Sequence, residues 1–168
     1  RYQIEGASNE DWEDLASFEL DGRRYLLVAD TGDNGGRRRG FSLHVFEEPA
    51  KLANGTLKPA WTIRARWPDG PRDCEAVAVD AAAGQVLLVS KKRVPPELFS
   101  LPLAASRGAV VEARRIGRLA GMPQVSEELR RKDPKLAALF SQVTAADIAP
   151  DRRSLAVLTY GNVLFYRR

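Results

Sequence analysis

Apolar and polar positions alternate along this chain in three stretches that resemble one another. Each stretch opens with a short strand pattern, at residues 12–16, 74–78 and 145–149. A turn follows each opening, and two further apolar segments come next, the last at residues 43–46, 98–101 and 163–166. Alternation with a period of two predicts half-buried β-strands, and Asp21-Gly22 predicts a hairpin turn. We therefore expect three units of three or four short strands each.

The three stretches recur at a long and loose spacing, 62 residues from Glu13 to Glu75 and 71 from Glu75 to Ala146. A repeated unit of about four strands is typical of a β-propeller blade. The predicted fold class is all-β, with about three four-stranded antiparallel blades and one short helical insertion. The expected boundaries are residues 14–67 for blade 1, 75–118 for blade 2, 125–140 for the insertion and 143–168 for blade 3.

The predicted strands do not make a closed ring. Residues 1–6 form one strand ahead of blade 1, and blade 3 has only three strands, so residues 1–6 or another segment should complete it. Closed propellers have about four to eight blades. Either residues 1–168 are part of a larger propeller, or two copies pair through open blade edges into a six-bladed ring. The first alternative is favoured, because self-assembly of half-propellers is unusual.

The insertion has the spacing of a helix rather than of a strand. Ser126 is a suitable N-cap for the segment that follows it. Pro134 lies inside that segment, where it either kinks the helix or divides it into two short ones.

Composition excludes several classes of protein. The 44% hydrophobic and 29% charged content is that of a folded globular chain. No apolar run approaches the length of about 18 residues that a membrane-spanning helix needs. The single cysteine, Cys74, excludes an intrachain disulfide and is expected to be structural. The net charge of +4 is mild, and the densest basic cluster, residues 37–39, lies in a solvated loop, so no nucleic-acid partner is expected.

Carboxylates at the start of the innermost strands are the main candidate for chemistry. Glu13 and Glu75 occupy the same repeat position, where blade 3 offers Ala146 instead, with Thr144 and Asp147 nearby. The first residues of inner strands converge at the mouth of a propeller channel, where a hard cation such as calcium would relieve carboxylate repulsion. The candidate ligands are Glu13, Glu75, Asp14 and Asp147. Alternatively, Asp14 and Asp147 bind amides of neighbouring blades, and the two glutamates are solvated.

Two loops near the channel rim offer further polar groups. Asp30, Asp33 and Asn34 surround Gly32, as carboxylates do in calcium loops, but these residue types are also common in turns, and turn chemistry is favoured. Residues 91–93, Lys-Lys-Arg, follow the second strand of blade 2. They could meet an anionic ligand, but a solvated run is the favoured interpretation.

Residues 9–14 and 29–34, with their acidic pair and Asp-x-Gly-Asp-Asn loop, resemble bacterial β-propeller proteins of the phytase-like and esterase-like kind. The resemblance implies calcium in or near the channel and, in some members, hydrolysis of phosphate or ester bonds. It also favours a periplasmic or secreted location. The chain shows no complete hydrolytic set, so we expect a non-catalytic scaffold or a module for a small-molecule or protein ligand. The alternative is a metal-dependent hydrolase of phosphate or other esters.

Overall fold

The structure, a computed structural model, describes residues 1–104 and 108–168. Residues 105–107, within the predicted second blade, lie outside the described part. The strands in chain order are β1 (Tyr2–Ile4), β2 (Trp12–Leu20), β3 (Arg23–Asp30), β4 (Phe41–Glu47), β5 (Gly55–Leu57), β6 (Trp61–Arg66), β7 (Cys74–Asp80), β8 (Gln85–Ser90), β9 (Glu97–Pro102), β10 (Val110–Glu112), β11 (Arg114–Arg118), β12 (Val143–Ile148), β13 (Ser154–Thr159) and β14 (Val163–Arg167).

Three antiparallel sheets are built from strands in chain order, with β5 and β10 left out of that order. The first contains β2, β3, β4 and β6, the second β7, β8, β9 and β11, and the third β12, β13 and β14. Asp21 and Gly22 join β2 to β3 with φ values of 51° and 72°, the positive pair that a tight hairpin turn requires. Such meanders stacked face to face are β-propeller blades, which confirms the predicted all-β fold class.

Two apolar cores hold the blades together. The first lies between blades 1 and 2 and contains Leu43 and Val45 on one side and Val77 and Phe99 on the other. The second lies between blades 2 and 3 and is smaller, with Val89 against Leu155 and Val157. Complete burial of an aliphatic or Phe side chain contributes about 1.5–3 kcal/mol. The blades are therefore stacked in chain order, with blade 2 in the middle.

The prediction of one continuous strand at residues 109–118 is wrong, because the segment contains two strands, β10 and β11. β10 pairs in parallel with β6 of blade 1, whereas β11 pairs with β9 of blade 2. Ala113 separates them, is fully buried, and donates its amide to the Arg66 carbonyl at 2.9 Å. The segment therefore passes from one blade to the other, which a continuous strand pattern does not reveal.

The N-terminal strand lies elsewhere than beside blade 3. β1 pairs in parallel with β5, a strand that the sequence pattern did not predict. Among the described residues, β14 has no further strand beside it. Residues 1–6 therefore do not complete blade 3. Its completion by another segment stays a prediction.

The insertion contains two helices, α1 (Glu127–Lys132) and α2 (Pro134–Leu139). The Ser126 hydroxyl accepts from the Leu129 amide at 3.2 Å, as predicted for an N-cap. Pro134 is the first residue of α2, where its missing N–H costs nothing, so the proline divides the helix rather than kinking it. Neither helix within the described ranges has the length and apolar character to cross a bilayer.

Candidate metal centre

The same irregularity begins the innermost strand of every blade. One residue is skipped in the pairing of β2 with β3, of β7 with β8 and of β12 with β13, and the skipped residues are Glu13, Glu75 and Thr144. In blade 1 the pairs on either side of the skipped residue are Trp12–Asp30 and Asp14–Ala29. In blade 2 they are Cys74–Ser90 and Ala76–Val89, and in blade 3 they are Val143–Thr159 and Ala145–Leu158. A β-bulge re-aims the side chain of its extra residue. The three bulged side chains are therefore structural equivalents.

The pairing register shows that one predicted equivalence between blades is wrong. Ala146 was expected at the Glu13 position in blade 3, but Thr144 lies there, and Asp147 corresponds to Ala16 rather than to Asp14. The error is a shift of two residues, which leaves every side chain on its original face of the strand. Alternation alone could not detect it, because the bulge is visible only in the pairing.

Three carboxylates converge beside the two bulged glutamates. One ligand oxygen each from Glu13, Asp73 and Glu75 lies within 4.8 Å of the other two. Asp73 and Glu75 are buried, and Glu13 is half-buried. We refer to these three residues as the mouth cluster. Asp73 was not among the predicted site residues, although Asp11-Trp12-Glu13 and Asp73-Cys74-Glu75 share an Asp-x-Glu pattern that would have indicated it.

Glu13 lies where burial and neighbouring carboxyl groups disfavour its ionised form. Burial, and then the charges of Glu75 and Asp11, raise the pKa of Glu13 from 4.5 to about 7. Gly32 lies against it, and a Cβ at that position would overlap the carboxyl groups of both Asp11 and Glu13. The glycine therefore lets the loop after β3 close over two acidic side chains.

Two lysines of the predicted basic run contact the mouth cluster. Lys91 is buried and forms an ion pair with Glu75, so the expectation of a solvated run is wrong for this residue. Burial opposes the charge of Lys91, but Glu75 outweighs it and raises the lysine pKa. Lys92 Nζ lies 2.8 Å from Asp73 Oδ2, at angles that do not make a hydrogen bond, and 2.9 Å from Asn34 Oδ1. The cluster and Asp11 thus present four carboxyl groups to two ammonium groups.

Asp14 and Asp147 line one groove outside the mouth cluster, but their hydrogen bonds differ. Asp14 accepts from the Val77 amide of blade 2 at 2.8 Å and from the Leu15 amide at 2.9 Å. Burial raises the pKa of Asp14 despite these bonds. Asp147 is exposed and accepts from the adjacent Ile148 amide at 2.8 Å. Asp14 therefore joins two inner strands.

Asp30 and Asp33 have the contacts of structural residues in a turn. Asp30 accepts from the Glu10 and Asp11 amides and forms an ion pair with Arg38 at 2.9 Å. Asp33 accepts from the Arg37 amide at 2.8 Å and the Arg38 amide at 2.9 Å. Asn34, the third residue predicted in this loop, contacts Lys92, as described above.

Cys74 is enclosed in the first core. It is fully buried, and burial raises the pKa of its thiol to about 12. The hydroxyl of Thr31 donates to the Cys74 carbonyl at 2.7 Å, which ties the β3 loop to β7. A thiol so protonated is a poor nucleophile and a poor metal ligand.

No protein-family model matches this chain, and no curated protein matches it. Among solved structures, hydrazine synthase of Kuenenia stuttgartiensis is similar over 94% of this chain and 45% of its own, at 14% identity and a TM-score of 0.44. The WD40 β-propeller domain of Doa1 is similar over 96% of this chain and 43% of its own, at 10% identity and a TM-score of 0.37. This chain spans less than half the length of either structure.

Proposed function

We propose that this chain is a non-catalytic β-propeller module, a scaffold or a binder of a small-molecule or protein ligand, stabilised by calcium at the channel mouth. The convergence of Glu13, Asp73 and Glu75 carries the proposal. Calcium–oxygen distances are about 2.3–2.6 Å, so two oxygens on one ion are at most about 5 Å apart. The 4.8 Å limit met by the mouth cluster fits that geometry.

The charges and donor types also fit a hard dication. Four carboxyl groups against two ammonium groups leave a deficit that one divalent cation balances. Oxygen donors suit calcium, whereas zinc usually takes His or Cys ligands. A bound ion would stabilise the ionised form of Glu13, whose pKa is raised when only carboxylates surround it. Asp11 lies beside Glu13, against Gly32, and outside the mouth cluster.

Thermal unfolding in calcium and in chelator tests this proposal. We expect calcium to raise Tm, because an ion that binds only the folded state stabilises it by about 2.7 kcal/mol at one hundred times its Kd. Glu13→Gln or Asp73→Asn should reduce that increase. Glu19→Gln is the matched control, since Glu19 lies exposed at the other end of β2. An unchanged Tm in the wild-type chain removes calcium from the proposal, and an increase in Glu13→Gln equal to that of wild type removes the mouth cluster.

A metal-dependent hydrolase of the phytase-like or esterase-like kind is the second candidate. A pocket of about 330 Å³ beside the mouth cluster is lined by Asp73, Lys92 and Arg93, among others, and its basic groups favour a phosphate ester. Release of p-nitrophenol from its phosphate ester and from its acetate, with and without calcium, separates the two candidates. The module proposal expects no turnover, and turnover lost in Asp73→Asn would favour the hydrolase.

Self-association through an open blade edge also belongs to the proposal. It follows from the unpaired edge of β14 among the described residues and does not require the cation.

A further inference from the structure

The buried lysine that follows β8 is not required by the architecture of a blade. Thr31, Lys91 and Tyr160 each follow the residue that pairs on the mouth side of the bulge, so they occupy equivalent positions in the three blades. Blades 1 and 3 thus form with a hydroxyl-bearing residue there. Burial of a lysine carries a desolvation cost. The reason for the lysine in blade 2 therefore lies outside the strand pairing.

Two contacts hold Lys91 against the mouth cluster. Its backbone amide donates to the Asp73 carbonyl at 3.0 Å, which fixes the main chain at the end of β8. Its ammonium forms an ion pair with Glu75, and the two side chains are 8% and 11% exposed. Little water reaches this ion pair, so its charges are screened much less than those of a surface pair.

The other two carboxyl groups of the mouth cluster are less well neutralised. The charged groups that act on Glu13 are Glu75, Asp11 and Asp73, all of them acidic. Asp73 is 6% exposed, and its Oδ2 accepts no hydrogen bond from any residue that the structure describes. A buried oxygen without a donor is costly, and a cation would satisfy it. Lys91 thus does for Glu75 from within the protein what a cation would do from solvent.

We propose that Lys91 is a built-in counter-ion that competes with the cation for Glu75 and so lowers the affinity of the mouth cluster for calcium. This inference rests on the proposed function and names a residue that regulates its cation site. The calcium ion and the ammonium would share one buried carboxyl group, where two positive charges repel strongly. The chain therefore keeps Glu75 neutralised without a cation and binds the cation more weakly as a result.

Lys92 offers a comparison at the same cluster. Its Nζ lies 2.8 Å from Asp73 Oδ2, but its side chain is 44% exposed, against 8% for Lys91. An exposed ammonium can turn into water as a cation arrives, and solvent screens its charge. Lys92 should therefore weaken cation binding much less than Lys91 does.

Isothermal titration calorimetry with calcium chloride at fixed ionic strength tests the inference. Lys91→Gln keeps an N–H donor for Glu75 but removes the charge, so we expect it to fold and to bind calcium about tenfold or more tightly than wild type. Lys91→Met should show a similar gain. Because Met has no oxygen, that gain would exclude coordination by a new amide group.

Two control variants separate this effect from a general change of charge. Lys92→Gln makes the same substitution at the adjacent residue, and its gain in affinity should be clearly smaller. Lys58→Gln should bind calcium as wild type does, because Lys58 is 74% exposed and pairs with Glu5. If circular dichroism shows that Lys91→Met does not fold, the comparison of Lys91→Gln with Lys92→Gln decides, since both add the same amide.

Thermal unfolding distinguishes a counter-ion from a lysine with only a packing role. In chelator both Lys91 variants should have a lower Tm than wild type, because Glu75 loses its counter-ion. Calcium should then raise their Tm by more than it raises that of wild type. A packing role alone would lower Tm equally in calcium and in chelator and leave the calcium Kd unchanged.

The outcomes for the inference and for the proposed function are distinguishable. Calcium binding by the Lys91 variants but not by wild type would remove calcium from the proposed function and support the inference, because the native lysine then excludes the cation. Lys91 variants that bind calcium no more tightly than wild type, or not at all, would overturn the inference. An equal gain in Lys92→Gln or Lys58→Gln would also overturn it, as would a gain in Lys91→Gln that a folded Lys91→Met lacks.

Discussion

Glu13 makes folding stability depend on pH in a defined direction. The unfolded chain loses this proton near pH 4.5, whereas the folded chain holds it up to a pKa of about 7. The folded state therefore binds more protons between these values, and its stability falls as pH rises. In chelator, we expect Glu13→Gln to match wild type near pH 4.5 and to exceed it above pH 7. The gain is on the order of 1 kcal/mol, since solvent screens this half-exposed group.

Urea unfolding at the two pH values measures this difference. Glu19→Gln should show no such dependence. A constant difference between Glu13→Gln and wild type across the range would contradict the burial and carboxylate repulsion at the channel mouth.

Asp14 has a structural role that Asp147 does not share. Its carboxylate satisfies the Val77 amide of the next blade, so Asp14→Ala leaves a polar group without a partner and should cost about 1–3 kcal/mol. Asp147 is exposed, and Asp147→Ala removes only its bond to the adjacent Ile148 amide, so it should cost at most about 0.5 kcal/mol. Chemical denaturation of both variants checks the contrast, and equal losses would show that Asp14 does not join the blades.

At the scale of the element, a buried ion pair fixes the connection between β6 and β7. Arg72 Nε donates to Glu97 Oε2 at 2.7 Å, and its guanidinium carbon lies 5.0 Å from the Phe99 ring centroid. Burial alone would raise the pKa of Glu97, but hydrogen bonds from Arg72 and Arg115 outweigh it and lower that pKa.

Breaking this pair should be costly, because the buried Arg72 guanidinium then keeps only the half-exposed Asp69 as a charged partner. We expect Glu97→Ala to lose about 3–5 kcal/mol of unfolding free energy. Glu112→Ala is the control, since Glu112 pairs with Arg66 where both side chains are more than half exposed, and its cost should stay within about 1 kcal/mol. Urea denaturation of both variants measures the two losses in unfolding free energy. Similar losses would mean that water solvates Arg72 more than the structure indicates.

Elements with a regular period could be predicted from the sequence, and irregular ones could not. The hairpin at Asp21-Gly22 and the N-cap at Ser126 have local chemical signals, and both are present. The bulges have none, because an extra residue leaves the alternation on either side intact. The division at Ala113 was missed because each half pairs with a different blade, and Lys91 was assigned to solvent because its partner Glu75 is distant in sequence.

At the scale of the molecule, stability should decrease from blade 2 toward blade 3. β8 is buried along nearly its whole length, whereas β14 alternates exposed and half-buried residues. Local opening free energies range from near zero at exposed strands to the global value in the core. Amide hydrogen exchange should therefore give the highest protection in β8 and the lowest in β14. Equal protection would indicate that the three blades unfold as one unit.

The bulges also determine how such a chain can change in length. Deleting one residue from the middle of a strand exchanges its two faces and exposes the core. Deleting Glu13, Glu75 or Thr144 instead restores an uninterrupted ladder, because the pairs on either side are already in register. Each inner strand therefore has one position at which a single-codon loss removes a mouth side chain while the blade remains paired.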